Sequence, residues 1–522
     1  MASRIDLIDE LKWRGLLHQC TDEDGLRAHL ADPDGSPRKI YAGFDPTAPS
    51  LTIGNLVPIM LLAHVKRAGH VPVVLMGGGT GLIGDPSGKS AERLLMTQEM
   101  VDRHISAQRP IFEQVLAGEK VEGAHKHWIV NNAEWLTKIS YIDALRDIGK
   151  FFSINMMMQK ESVKARLESR EQGISYTEFS YMILQAYDFS YLYRHEGITV
   201  QMGGSDQFGN IVAGTDLTSK MIRQEFYNRK RAYLEMCQRN GDAFFEKYFR
   251  DLGYSAFRRN AVDLLDVLPE SAEKTLETID ELLAGEFREA PVEVRDALIN
   301  VIPAARAYLD YERIFGLTAP LVTKADGGKF GKTESGAIWL TPDRTSPYAY
   351  YQFWLNASDA DAANWIKVFT FLGKPTIDAL LERHAANPGA RELQRTLAQE
   401  ATAILHGQAA MEHAEAAGKA LFSGDIAGLD HDTLLEVLAD VPSSNLDRAD
   451  LAGEGADPVE VLVGTDLAKS KREAREFIDN GSVAVNGRRL GEGERLTEAD
   501  LLHGSLMAVR RGKKNWHLIR WS

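Results

Sequence analysis

Apolar residues along this chain change their spacing, and the changes divide it into segments. From Ile5 to Leu30 they recur at helical intervals, with Leu7, Leu11, Leu16, Leu17 and Leu26 on one face, so the spacing predicts an amphipathic helix. Lys39–Phe44 is a short apolar, partly β-branched run that reads as a strand. It breaks at Asp45-Pro46-Thr47-Ala48-Pro49-Ser50, where two prolines forbid both helix and central strand. Leu56, Ile59, Leu62, Ala63 and Lys66 then mark a helix that Asn55 can cap, that tolerates Pro58 in its first turn, and that Gly69 ends. Val71–Met76 is apolar throughout, as a strand buried on both faces must be, and Gly77-Gly78-Gly79-Thr80-Gly81 follows as a tight turn. Strand, helix, strand in succession is a βαβ unit.

Beyond it, Thr97–Leu116 reads as helix, Val121–Val130 as a further strand, and Ser153–Glu196 as strongly helical. Tyr181, Gln185 and Asp188 recur there at i, i+4 and i+7, which puts them on one helix face. Phe179, Met182, Ile183 and Leu184 make the rest of that helix apolar, so its polar face is expected to line a cavity rather than meet solvent. Thr199–Met202 is a brief strand leading into Gly203-Gly204-Ser205-Asp206-Gln207. From about Met221 to Glu312 charged amphipathic helix predominates, with no phosphate-type loop, and this stretch reads as a helical insertion. Pro320-Leu321-Val322 returns to strand composition, and Lys324 to Thr333 is a glycine-containing loop bearing Lys324, Lys329 and Lys332. Helix predominates again from Pro347 to about Phe422, and acidic Asp425–Asp457, with Pro442, Ser443, Ser444, Gly453 and Gly455, reads as a loosely structured linker.

Composition narrows the class. A chain of 522 residues is too long for one ordinary domain, and 44% hydrophobic with 26% charged residues is a soluble globular balance. A net charge of −14 argues against nucleic-acid binding over the whole surface. Leu467–Ser522 reverses that sign, with twelve Lys and Arg against seven Asp and Glu, as a small module facing RNA or phosphate would. Cys20 and Cys237, the only cysteines, offer neither a disulfide framework nor a cysteine-rich metal site. No run is apolar enough for a signal peptide or a membrane span, so a cytoplasmic protein is expected.

In open parallel sheets ligands bind beyond the carboxyl ends of the strands, which here are the loops Asp45–Ser50 and Gly77–Ser90. A helix N-terminus there, with Thr47, Thr52 and Asn55 around it, suits a phosphate. The run Gly84-Asp-Pro-Ser-Gly88-Lys89-Ser90 is one residue short of a P-loop, and Pro86 removes an amide from a loop that works by donating amides. A P-loop NTPase is therefore ranked below an enzyme that binds ATP at a helix N-terminus and completes its site with the lysine loop.

The whole combination resembles the bacterial tyrosyl-tRNA synthetases, members of the class I aminoacyl-tRNA synthetases. Tyr41-Ala-Gly-Phe-Asp-Pro-Thr-Ala-Pro-Ser-Leu-Thr-Ile-Gly-Asn55 resembles that family's first signature, and Lys329-Phe-Gly-Lys-Thr333 its second. The loops Gly81–Lys89 and Gly203–Asn210, the helix Tyr176–Phe189 and the basic C-terminal module match as well. Two features depart from the pattern: Thr52 stands where the family usually has histidine, and the insertion replaces what is usually a short connection.

The resemblance implies an α/β architecture. A Rossmann-like parallel-sheet catalytic domain (1–220 and 313–355) would be interrupted by the helical insertion (221–312) and followed by an α-helical anticodon-binding domain (356–424). The linker (425–457) and a small α+β RNA-binding domain (458–522) would complete the chain. It implies ligation of L-tyrosine to its tRNA through tyrosyl-adenylate, with ATP as a substrate accompanied by Mg2+, no tightly bound protein-ligated metal, and a homodimer. It places Lys329, Lys332, Thr47, Asn55 and Thr52 in catalysis. Tyr41 and Asp188 would meet the substrate phenol, Asp85, Tyr181 and Gln185 its ammonium, and Gln207 its carboxylate. Gly43, Asp45, Gly54, Gly204, Asp206, Lys332 and Thr333 would bind ATP. The other expectation is a catalytically lapsed synthetase paralogue acting as a tRNA-binding regulator, for which Thr52 is the main support.

Overall fold

The computed structural model describes residues 5–31, 36–84, 95–117, 127–159, 163–164, 174–239, 314–328, 330–333, 336–439, 441–512 and 515–522. Its contacts fall into two compact units, Met1–Val322 and Thr323–Ser522.

The first unit is built on six strands: β1 (Gln19–Cys20), β2 (Lys39–Phe44), β3 (Val71–Met76), β4 (Trp128–Asn131), β5 (Ile198–Gly204) and β6 (Phe315–Ala319), in the order β1-β6-β5-β2-β3-β4. Strands β2 to β6 run parallel and β1 closes one edge antiparallel to β6. Every residue of β3 is buried, as its unbroken apolar run requires. The helix Leu56–Arg67, which joins β2 to β3, buries nine of its twelve residues, so it is a core helix. The chain builds outward from β2 through β3 to β4 and then returns to place β5 on the other side of β2. The carboxyl ends of β2 and β5, where that order reverses, are where sheets of this kind take their ligands.

Several expectations change. The single helix expected over Ile5–Leu30 is two, Leu7–Arg14 and Glu23–Leu30, with β1 between them. Gly15 at φ 75° ends the first, its amide meeting the Leu11 and Lys12 carbonyls, and Asp22 caps the second by accepting from the Gly25 amide at 3.0 Å. Leucine spacing had masked this punctuation. Strand β6 precedes Pro320, which has no N–H for a ladder, rather than including it. The strand expected over Val121–Val130 is observed as Trp128–Asn131, with 118–126 outside the described residues. At the start of the expected insertion the helix Phe208–Arg239 runs on unbroken past Met221, and 240–313 lie outside the described residues.

In the second unit the short ribbon Lys332–Thr333 with Gly336–Ala337 precedes a helical group: Pro347–Leu355, Asp359–Val368, Lys374–Ala386, Glu392–His406 and Gln408–Ser423. The first of these, expected in the catalytic part, packs on the fourth and fifth. A five-stranded sheet follows, and here the linker expectation fails. Ser443–Leu446 is a strand of that sheet, paired in parallel with Asn515–Trp521. Leu451 and Ala456 enter the core on one side, while Ile426, Leu429, Leu434, Val437 and Leu438 join Leu506, Ala508, Trp516 and Leu518 on the other. The acidic residues of 425–457 gave the stretch its linker-like composition, but a minority of apolar side chains decides its structure.

Candidate active site

Beyond the carboxyl ends of β2, β3 and β4, one chain of hydrogen bonds links four loops and helices. Tyr181, on the helix Tyr176–Glu196, donates its hydroxyl to Asp45 Oδ2 at 2.8 Å, and Thr80 donates to Asp45 Oδ1 at 2.7 Å. Asn132, just after β4, donates to Thr80 Oγ1 at 3.1 Å and to Asp188 Oδ2 at 2.9 Å. Trp135 Nε1 donates to Asp188 Oδ1 at 2.8 Å. Asn132 is itself aimed by the Gly79 amide, which donates to its Oδ1 at 2.7 Å, and Trp135 is backed by Tyr191, stacked at 4.4 Å.

The glycines before Thr80 serve this network. A Cβ on Gly77 would come within 2.2 Å of Asp45 Oδ1, and one on Gly78 within 2.1 Å of Asn131 Oδ1. Neither has positive φ, so their role is close approach rather than an unusual turn conformation. The preceding loop is held from the helix Gln98–Ala117, where His104 Nδ1 meets the Pro46 carbonyl at 2.8 Å and Gln108 donates to the Ala48 carbonyl at 2.7 Å.

Two groups here are perturbed by burial. Asp188 is 2% exposed, and loss of water pushes its carboxyl up to about 8, against the lowering by its Asn132 and Trp135 donors and with a further rise from Asp45. Tyr41 is fully buried on β2, and burial first and Asp188 second raise its phenol well above the ordinary value. Its hydroxyl has no hydrogen-bond partner among the described residues. The same holds for Oε1 of Gln201, which faces Tyr41 across the β2–β5 pairing and is 3% exposed. The two residues are register partners on β2 and β5, so both atoms lie in one part of the sheet and each could take a further hydrogen bond.

A second cluster lies after β5. Gln185 Nε2 donates to Gln207 Oε1 at 3.3 Å, Asn210 donates to Gln185 Oε1 at 3.0 Å and to Gln207 Oε1 at 3.2 Å, and Gln207 donates to Asp206 at 3.0 Å. Thus Tyr181, Gln185 and Asp188 each turn inward to a separate polar partner, as their shared helix face predicts.

Of the remaining expected residues, Gly43, Thr47, Gly54 and Asp206 are exposed, and Gly204 is half-buried. Asn55 does not cap the following helix with its side chain. Its Oδ1 instead accepts from the Thr52 amide at 3.1 Å and the Thr52 hydroxyl at 3.0 Å. Asp85 and Lys329 lie outside the described residues. Lys332 and Thr333 are described as the backbone of a ribbon in the second unit.

Asn132, Trp135, Thr80, Asn210 and Gln201 were not singled out in the sequence. The strand-end rule applied after β4 points to Asn131-Asn132, because an asparagine pair follows Trp128–Val130 there. Nothing in the local pattern marks Gln201.

Residues 34–239 and 298–423 match the model of the class I tRNA synthetases (W and Y), and 434–519 that of the tyrosine–tRNA ligase SYY-like C-terminal domain. A tyrosine–tRNA ligase of Bacillus caldotenax is 41% identical over 99% of this chain and 100% of its own length. One of Roseiflexus castenholzii is 39% identical over 98% and 99%. The crystal structure of a C-terminally truncated mitochondrial tyrosyl-tRNA synthetase of Aspergillus nidulans aligns with a TM-score of 0.57 and 26% identity, covering 81% of this chain and 95% of its own. With matches of this identity running from end to end, the chain belongs to the tyrosine–tRNA ligase family of class I tRNA synthetases.

Proposed function

We infer that the protein activates L-tyrosine with ATP to tyrosyl-adenylate and pyrophosphate, and then transfers tyrosine to the 3′ end of its tRNA. The end-to-end match to tyrosine–tRNA ligases carries this reading, and the lapsed-paralogue alternative has no support. Incorporation of labelled tyrosine, and not phenylalanine, into tRNA by the purified protein tests it. Failure to charge any tRNA would refute it.

The attacking group of the first step is a carboxylate already ionised at neutral pH, so no general base is needed. The rate must come from placement and from stabilising charge. We assign Tyr41 and Asp188 to the substrate phenol, Asp85, Tyr181 and Gln185 to its ammonium and Gln207 to its carboxylate. The adenosine and phosphates fall to Gly43, Asp45, Gly54, Gly204, Asp206 and Thr333. Asp45 accepts from Tyr181, so nucleotide and amino acid would share one network. Lys329 and Lys332 would meet the charge growing on the departing pyrophosphate. Among the described residues no cluster of three His, Cys, Asp or Glu side chains could hold a metal. Mg2+ is assigned to the ATP phosphates, where it commonly keeps much of its water.

Thr52 and Thr47 should differ in weight. The Thr52 hydroxyl gives its proton to Asn55, so it has only lone pairs to offer a phosphate, whereas exposed Thr47 can donate. Thr52→Ala should slow single-turnover adenylate formation by no more than about tenfold, and Thr47→Ala should cost more than one neutral hydrogen bond. Thr52→His should be neutral or faster. The reverse order of the two alanine variants would show that Thr52 has taken over the role of the family histidine.

Two partners complete the proposal. The exposed apolar side chains Tyr141, Ile142, Leu145, Ile154, Met156, Met158 and Tyr176 favour a homodimer that covers them. In sedimentation, Ile142→Glu with Met156→Glu should give monomers, and an unchanged dimer would exclude this patch. The basic C-terminal module is assigned to tRNA, although Lys471 is paired with Glu460 and Arg488 with Glu494 and Asp500, so the sequence overstates its free charge. Arg472→Ala with Arg475→Ala should weaken charging and flatten its salt dependence while sparing adenylate formation. Charging that keeps its full salt dependence would remove these arginines from the contact. Among the described residues no helix is long and apolar enough to cross a membrane. A cytoplasmic location is part of the same proposal, supported by the sparse cysteines.

A further inference from the structure

Phe330 lies between the two signature lysines, and its ring leaves the loop for the helical group of the second unit. It stacks on Phe369, with centroids 5.2 Å apart and 11° between planes, and stands edge-on to Trp365 at 5.0 Å and Phe353 at 5.9 Å, with Trp354 at 6.1 Å. Trp354, Trp365 and Phe369 are at most 3% exposed and pack on one another, so this box is a fixed part of the helical core. A second tether lies at the start of the loop, where the Ala325 amide donates to Asp361 Oδ1 at 2.7 Å. Asp361 is buried and held by Ser358.

Around these anchors the backbone has joints. Gly327 and Gly331 have φ of 81° and 76°, a region glycine enters without strain. Gly331 is the one residue between Phe330 and Lys332. Its carbonyl accepts from the Ile338 amide at 3.0 Å, and Lys332 then enters its ribbon opposite Ala337. A loop that served only to carry solvated lysines would have no physical reason to send an aromatic ring into a packed core.

We infer that Phe330 is the positioning residue of the lysine loop: its ring, docked among Phe369, Trp365, Phe353 and Trp354, fixes the backbone from which Lys332 meets the pyrophosphate during adenylate formation. This rests on the role given to Lys332 above. The helical group thereby acts on the first chemical step through one side chain, and misplacing a charged group by about an ångström is enough to cost a large factor in rate.

Single-turnover adenylate formation in Phe330→Ala, Phe330→Met, Lys332→Ala and the double variant Phe330→Ala/Lys332→Ala tests it. Phe330→Ala should be slower by about tenfold or more at saturating tyrosine and ATP, with tyrosine affinity within about twofold. Phe330→Met, apolar and able to contact rings through sulfur, should recover most of the rate. On a Lys332→Ala background, Phe330→Ala should cost less than about twofold, because no lysine remains to be positioned. Fully additive losses would overturn the inference, as would a wild-type rate in Phe330→Ala beside a slow Lys332→Ala. A wild-type rate in Lys332→Ala would overturn it together with the lysine assignment. Should the alanine variant not fold, Phe330→Met and Phe330→Leu carry the same cycle, and additivity there overturns it equally.

Discussion

Lys332→Ala should slow tyrosyl-adenylate formation by on the order of a hundredfold or more while tyrosine affinity changes little. The expectation follows from where charge moves. The tyrosine carboxylate attacks the α-phosphorus, the bond to pyrophosphate breaks, and negative charge accumulates on a leaving group that water would otherwise have to solvate. A fixed ammonium is worth most at that moment, because it stabilises the transition state more than bound ATP, and its removal therefore falls on the rate of the step rather than on substrate binding. Lys332 is suited to such placement: glycine at 331 with φ 76° precedes it and a backbone ribbon with Ala337 holds it. Rapid-quench measurement of a single turnover gives the rate directly, and tyrosine titration in the absence of ATP gives the affinity. A rate equal to that of the unmodified protein would remove Lys332 from the chemistry.

Asp188→Asn should erode the choice of tyrosine over phenylalanine, with activation of tyrosine falling about ten- to a hundredfold further than activation of phenylalanine. Both carboxyl oxygens of Asp188 already accept, one from Asn132 and one from Trp135, and each keeps a second lone pair. An asparagine supplies one oxygen where Asn132, Trp135 and the phenol hydroxyl would all donate, so the hydroxyl loses its acceptor, at about 1–3 kcal/mol that only tyrosine has to lose. Phenylalanine makes no bond to this group and has little to lose. On the proposed assignment, phenylalanine would leave Tyr41 and Asp188 of the unmodified protein without a phenol hydroxyl to meet, an asymmetry of which tyrosyl-tRNA synthetase is itself the standard illustration. Pyrophosphate exchange with each amino acid measures the ratio. Equal losses for both would refute the assignment to the phenol.

The parts of the fold that sequence revealed are those where one local rule dominates. Val71–Met76 could only be a strand buried on both faces, and the prolines around Thr47 could only be a loop, so the βαβ unit was legible. The face carrying Tyr181, Gln185 and Asp188 was legible because polar residues at helical spacing amid apolar neighbours must answer to something inside. Partners were not. Asn132 and Trp135 reach Asp188 from more than fifty residues away, and Gln201 meets Tyr41 only through strand register, neither of which local spacing encodes. Composition misled where it stood in for structure: the acids of 425–457 suggested a linker, yet Leu434, Val437 and Leu451 give that stretch two cores to join.

Tyrosine-dependent exchange of labelled pyrophosphate into ATP, followed with the purified protein and no tRNA, reports activation alone. A tyrosine-activating enzyme should give rapid exchange with tyrosine and ATP, little with phenylalanine, and none when ATP or the amino acid is omitted. Absence of exchange with tyrosine, in a protein that still binds tRNA, would contradict the activity and return the chain to a tRNA-binding regulator on a synthetase scaffold.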